Sequence, residues 1–232
     1  PGPTATGMYF PDGGQSTNAT YIYIAIRRPM KTPEAGTEVL DIVTRTATNP
    51  NLFATALSYV DVAFNRNLGT AQTQVTSRLT GGSYLHTASQ AAEVTPASGQ
   101  IEYDYNYKIN PYWWGLSAEV DWLFKRATGF MDVVAYSGTG AVRTIPHNLG
   151  VAPEMMLFKI RNQVSNWQVY ASGMGATKSN RLNNDGAPVT ATAYFNDTAP
   201  TSSVFTLGTS GNMNWSGNTF ISYLFATLAG VS

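Results

Sequence analysis

Three segments of this chain share one shape, and that internal repetition constrains its fold more than any other feature. They are Thr20-Tyr21-Ile22-Tyr23-Ile24-Ala25-Ile26-Arg27-Arg28, Ala118-Glu119-Val120-Asp121-Trp122-Leu123-Phe124-Lys125-Arg126 and Thr219-Phe220-Ile221-Ser222-Tyr223-Leu224-Phe225-Ala226-Thr227. Each is an aromatic and β-branched run of the kind that packs well on a pleated sheet. In the first two a basic pair closes the run. Aligning Ile26, Phe124 and Phe225 gives spacings of 98 and 101 residues. Asp61-Val62-Ala63-Phe64-Asn65-Arg66-Asn67 matches Met156-Leu157-Phe158-Lys159-Ile160-Arg161-Asn162, 95 residues later, and Leu85 lies 97 residues before Leu182. The run from Thr37 to Val43 aligns with Phe130 to Tyr136. Several correspondences in one order and at nearly one period mark a repeated module of about 100 residues.

The repeat divides the chain. Residues 1–30 read as the terminal strand of a preceding module, 31–127 as a first β module and 128–232 as a second. The opening Pro1-Gly2-Pro3-Thr4, without a methionine, reads as a cut into a longer chain or the start of a processed product. Short apolar runs separated by Gly, Asn and Pro turns recur throughout. Examples are Phe130–Tyr136 before Ser137-Gly138-Thr139-Gly140, Val142–Ile145 before Pro146, then Glu154–Ile160, Asn166–Tyr170 and Ser202–Leu207. This pattern predicts an all-β chain of two tandem β-sandwich or jelly-roll-like modules. Helical signals are weak: residues 51–59 and 83–93 could each carry a turn or two, without a capped amphipathic period. The orphan first strand, carrying Tyr21, Ile22, Tyr23, Ile24 and Ile26, needs a sheet to join. Strand addition to a neighbouring module or another subunit would supply one.

Composition narrows the function classes. Hydrophobic residues make up 43% of the chain, enough for real cores, while charged residues are only 12%, roughly half the usual share. Fourteen basic residues balance fourteen acidic ones. The chain therefore has no electrostatic footprint for nucleic acid and no basic face for an anionic membrane. Without cysteine there are no disulfides or thiolate metal sites. No signal peptide or membrane-length apolar run is visible. Thr, Ser, Asn and Gly supply the polarity, as in many extracellular and virion β proteins.

Candidate chemistry is sparse. Of the two histidines, His147 lies in a Pro-His-Asn-Leu-Gly turn without the nucleophile and orienting acid of a triad, and reads as a turn residue bonded to backbone. The carboxylates are scattered, with no pair set apart for glycoside hydrolysis. Asn183-Asn184-Asp185-Gly186 could offer oxygens to calcium, but Asp-Gly suits a hairpin turn at least as well. Ser137-Gly138-Thr139-Gly140-Ala141 lacks the spacing and lysine of a phosphate loop. No cofactor or metal and no catalytic activity are expected. Asn18-Ala19-Thr20, Asn196-Asp197-Thr198 and Asn214-Trp215-Ser216 fit the glycosylation pattern, which is frequent by chance in so polar a chain.

The aromatic run is the most informative local feature. Tyr103, Tyr105 and Tyr107 alternate with polar residues, which predicts one shared strand face, and Tyr112, Trp113 and Trp114 follow beside Pro111. These rings serve either packing at a module or subunit interface, where Tyr and Trp are enriched, or stacking on the sugar rings of a glycan.

At the second module a resemblance emerges. Phe130-Met131-Asp132-Val133-Val134-Ala135-Tyr136-Ser137-Gly138-Thr139-Gly140, with His147-Asn148-Leu149-Gly150-Val151-Ala152-Pro153-Glu154, resembles a tandem repeat module of phage and marine-virus virion proteins of the tail-fibre kind. So do Gly175-Ala176-Thr177-Lys178, the run from Thr198 to Thr209, and Tyr223-Leu224-Phe225-Ala226. Residues 1–127 resemble it more weakly, and the first module lacks the His-Asn-Leu-Gly turn. The resemblance implies an exposed virion protein at the particle surface or extracellular, without catalytic residues. Its expected partners are copies of itself, trimeric by analogy, other virion proteins and host-surface glycans. A carbohydrate-binding module and a capsid decoration protein are the alternatives.

Overall fold

β-branched and aromatic runs that end at Gly, Asn or Pro become strands here, because each buries alternate side chains and then loses its ladder partners at the turn. The computed structural model describes residues 2–4, 7–9, 30–46, 52–69, 73–96, 101–104, 107–111 and 118–232. The expected strand carrying Tyr21 to Ile26 lies outside them. A backbone hairpin of β1 (Gly2–Thr4) and β2 (Gly7–Tyr9) opens the chain. The first module contributes β3 (Leu40–Arg45), β4 (Phe53–Ala54), β5 (Val62–Asn67), β6 (Thr73–Ser77), β7 (Tyr84–His86), β8 (Ile101–Glu102), β9 (Lys108–Pro111) and β10 (Glu119–Phe124). The second contributes β11 (Met131–Ser137), β12 (Arg143–Pro146), β13 (Met155–Ile160), β14 (Gln168–Ala171), β15 (Lys178–Arg181) and β16 (Val189–Thr190). It continues with the one-turn helix α1 (Thr192–Phe195), β17 (Val204–Leu207), a second one-turn helix α2 (Gly211–Asn214) and β18 (Thr219–Phe225). The weak helical signals at 51–59 and 83–93 give no helix among the described residues, and the helical turns that are described fall elsewhere.

The two large sheets repeat one antiparallel strand order. The first runs β3-β10-β5-β6-β7 and the second β11-β18-β13-β14-β15-β16. Phe124 pairs with Leu40 and Val62, and Phe225 pairs with Met131 and Met155. The hydrogen bonds that frame these strands recur too. Lys125 N–H donates to Val39 O as Ala226 N–H does to Phe130 O, both at 2.9 Å, and Asp61 N–H reaches Phe124 O (2.8 Å) as Glu154 N–H reaches Phe225 O (2.9 Å). Leu68 to Ala118 likewise matches Arg161 to Thr219, and Arg78 to Asp61 matches Ser172 to Glu154.

This register corrects the sequence alignment. Val62 corresponds to Met155 rather than Leu157, Leu40 to Met131 rather than Val133, and Leu85 to Asn180 rather than Leu182. Each correction is two residues. An even shift keeps every side chain on its face, so the hydrophobic pattern could not reveal it.

The sheets form layers. A small sheet, β4-β9-β8, covers one face of the first large sheet, and the pair β12-β17 with α1 and α2 covers one face of the second. The outer core of the first module holds Phe53, Ala63, Tyr84, Ile109 and Leu123. That of the second holds Ile145, Met156, Phe158, Phe195, Phe205 and Leu224. Between the two large sheets lies a third core, with Val62, Val75 and Leu85 from one side and Met131, Val133, Leu157, Trp167, Ile221 and Tyr223 from the other. The chain is all-β and sandwich-like, and its middle layer is shared by both modules.

Candidate functional site

The connection between β8 and β9 undoes the expected face of three tyrosines. β8 ends at Glu102 and β9 begins at Lys108, so Tyr103 and Tyr107 sit in a turn rather than on one strand. Tyr103 is buried in the outer core and its hydroxyl lies 2.6 Å from Thr76 Oγ1. Tyr107 is exposed, with a left-handed backbone at φ 55°. Period-two reasoning fails where the chain turns back between Glu102 and Asn110. Tyr105, Tyr112, Trp113 and Trp114 lie outside the described residues.

Among the described residues the junction between the modules carries several side-chain hydrogen bonds and ion pairs. Trp167 is fully buried, and its indole N–H donates to His86 O at 2.8 Å across the junction. Arg161 grips Glu93 with two hydrogen bonds, of 2.6 and 2.8 Å, a bidentate geometry. Lys159 projects from β13 on the same face as Leu157, and its ammonium donates to Gln90 O (3.1 Å) and Ser165 O (2.8 Å). Burial pulls its pKa down to about 8. At the linker, Arg126 pairs with Asp132 and its N–H donates to Asp61 Oδ2 at 2.7 Å, while Asp132 Oδ2 accepts Asn148 N–H at 2.7 Å. A cleft of about 460 Å³ opens beside it, lined by Met30, Tyr59, Asp61, Ser77, Arg78, Leu79, Arg126 and Val133. The Lys125 ammonium lies 4.6 Å from the Tyr59 ring centroid. Sequence reading flagged none of these partners, because they meet only once the two large sheets face each other.

A buried ionic cluster lies within the first module. Arg45 on β3 pairs with Glu119 and with Asp121 (Nε to Oδ2, 2.6 Å) on β10, and Asn65 on β5 donates to Asp121. All four side chains are buried, and the guanidinium sits 4.6 Å above the Phe53 ring. Burial pushes the Asp121 carboxyl up, and hydrogen bonding and charge from Arg45, then Asn65, oppose that rise. The repeat register equates Arg45, Asn65, Glu119 and Asp121 with Tyr136, Phe158, Phe220 and Ser222. The second module fills the same position with rings: Tyr136 stacks on Phe220 at 5.2 Å. A signal did exist in the sequence. Glu119 and Asp121 alternate onto the face of Leu123, an odd place for two carboxylates unless a cation meets them.

The remaining candidates resolve into turns. His147 is buried against Phe205, its Nδ1 accepts Leu149 N–H at 3.2 Å, and its Nε2 faces Thr201 O at 3.1 Å. That arrangement fixes the Nε2–H tautomer. Burial lowers its pKa, against opposing effects of Thr201 and Asp132. Asn183 Oδ1 accepts the N–H of Trp167, just before β14, at 2.9 Å, and Asn184 Oδ1 accepts Gly186 N–H at 2.6 Å inside the loop joining β15 and β16. Both side-chain oxygens are engaged within the protein. Among the described residues no three His, Asp or Glu side chains converge on one point as metal ligands would. Asn214 is fully buried with its amide bonded at both ends, so the Asn214-Trp215-Ser216 pattern offers no free acceptor for a glycan.

Residues 123–232 match a family described as a domain of unknown function (DUF7483). The match begins at Leu123 inside β10 and runs through the whole second module. No curated protein and no solved structure matches the chain.

Proposed function

We propose that this chain is a non-catalytic structural protein of a virion, a repeat segment of a tail fibre or similar extracellular appendage. It assembles with copies of itself and with other virion proteins, and it meets glycans on the host surface. The observation that carries the reading is the core shared between the two large sheets. It makes two modules into one stiff body, which an appendage that transmits position and force requires. The low charge and the resemblance of residues 128–232 to virion repeat modules support it further.

Purified particles decorated with an antibody to the chain and imaged by electron microscopy test the proposal. Label along the tail or its fibres is expected. Label spread over the head would replace this reading with a capsid decoration protein, and unlabelled particles would overturn both. The mass of the chain in solution adds an independent check, since an appendage segment is expected to form an oligomer.

A further inference from the structure

Tryptophan is the side chain that gains most from burial, yet Trp215 is 57% exposed. It stands at the end of α2 on a frame that leaves it little freedom. Asn214, immediately before it, donates to Ala141 O (2.7 Å) and Gly208 O (2.8 Å) and accepts Thr139 N–H (2.9 Å). The Asn214 carbonyl takes Gly140 N–H at 2.6 Å, and Gly138 N–H donates to Asn218 O at 2.8 Å. Gly138 packs so closely that a Cβ there would overlap the Trp215 carbonyl oxygen. The backbone that carries the indole is therefore pinned from both sides, a pre-organisation that lowers the entropic cost of binding.

The surroundings indicate what such a ring would meet. Thr139, Gly140, Ala141, Val142, Ser216 and Gly217 are exposed around these two loops, and none is ionised. Arg143, the nearest cation in sequence, is turned back onto Ser137 O and over the Tyr136 ring. A nucleic acid would need cations here. A protein partner would need a wide apolar patch, whereas Trp215 and Val142 are the large exposed apolar side chains of these loops. One aromatic face on a pinned backbone, with the Thr139 and Ser216 hydroxyls beside it and no charge on these two loops, fits a small, neutral, hydroxyl-rich ligand with one apolar side.

We propose that Trp215 is the stacking platform of a carbohydrate subsite that takes the apolar face of a neutral pyranose. The Thr139 and Ser216 hydroxyls lie within the same rim. This deepens the host-surface part of the function proposed above and rests on it. It moves glycan contact from the first module's aromatic run to the outer loops of the second.

The test is binding of the intact chain to an array of neutral and acidic glycans, followed by titration of the retained glycans against Trp215→Ala, Trp215→Phe and Trp113→Ala. Retention of neutral glycans is expected, with at least a tenfold loss for Trp215→Ala, partial retention for Trp215→Phe and no change for Trp113→Ala. An unchanged melting curve for Trp215→Ala shows that the loss is not unfolding. No retained glycan, or wild-type binding by Trp215→Ala, overturns the proposal. So does a Trp215→Ala chain that binds glycans normally but fails to self-associate, which would make the ring a protein contact. Particle labelling is independent of all these outcomes, so the subsite can fail while the virion assignment stands.

Discussion

Two buried bases give the chain a pH response that can be followed residue by residue. Lys159 titrates near 8 in the folded protein against an ordinary 10.5, so the folded state disfavours its charged form. The unfolded chain binds the extra proton between those values, and stability must therefore rise with pH through the window. Denaturant unfolding between pH 7.5 and 9.5 is expected to show a gain of roughly 1–2 kcal/mol, and Lys159→Met should remove that slope. Above this range the buried phenols of Tyr103, Tyr136 and Tyr223, all held up by desolvation, reverse the trend. His147 acts at the acid end. Its lowered pKa means that stability is fully present above the ordinary value of 6.5 and is lost as pH falls through its own pKa. Protonated Nδ1 could no longer accept Leu149 N–H. An NMR titration of the His147 ring should give a midpoint below 6.5, and a midpoint at or above it would refute desolvation as the dominant influence on the ring. The turn role of His147 was legible in its neighbours Pro146 and Gly150. The setting of Lys159 was not, since Gln90 lies 69 residues away.

At the scale of strands, the informative comparison is between equivalent positions of the two modules. Arg45, Glu119 and Asp121 hold charges where the second module holds Tyr136, Phe220 and Ser222. Removing one member of a buried ionic set strands the others without solvent, at about 3–5 kcal/mol. Arg45→Ala is expected to lose that much in denaturant unfolding. Carrying the second module's residues across together (Arg45→Tyr, Asn65→Phe, Glu119→Phe, Asp121→Ser) should recover most of the loss, because no charge then stays buried. A quadruple variant as unstable as Arg45→Ala would show that the ionic set is needed for more than filling space. Half of the described strands were readable from their apolar runs, with bounds shifted by up to three residues, as at Leu40–Arg45, Met131–Ser137 and Arg143–Pro146. Register was not readable, because a two-residue slip preserves the alternation on which the reading depends. Tyr103 and Tyr107 parted company for a related reason: alternation holds only along an uninterrupted strand.

For the molecule as a whole, the middle core predicts how the protein comes apart. Trp167, Tyr223 and Leu157 of one module share their contacts with Val62, Val75 and Leu85 of the other, so neither half can open without exposing the same apolar surface. Calorimetry is expected to show a single transition with equal calorimetric and van't Hoff enthalpies, and two resolved transitions would contradict the shared core. The repeat was legible in the sequence, but the way its copies meet was not, since period and composition say nothing about which faces oppose. Phe124 and Phe225 occupy equivalent places in their sheets, and their rings nevertheless touch, with centroids 6.1 Å apart. The two like faces meet off-centre all the same: Val133 and Val62 are buried in the shared core, whereas their counterparts Ile42 and Met155 are 56% and 39% exposed. Two like faces laid off-centre leave an overhang on each, marked by Ile42 on one sheet and Met155 on the other, so the shared face is not used up within the chain and a longer array could lap onto what the pair leaves bare.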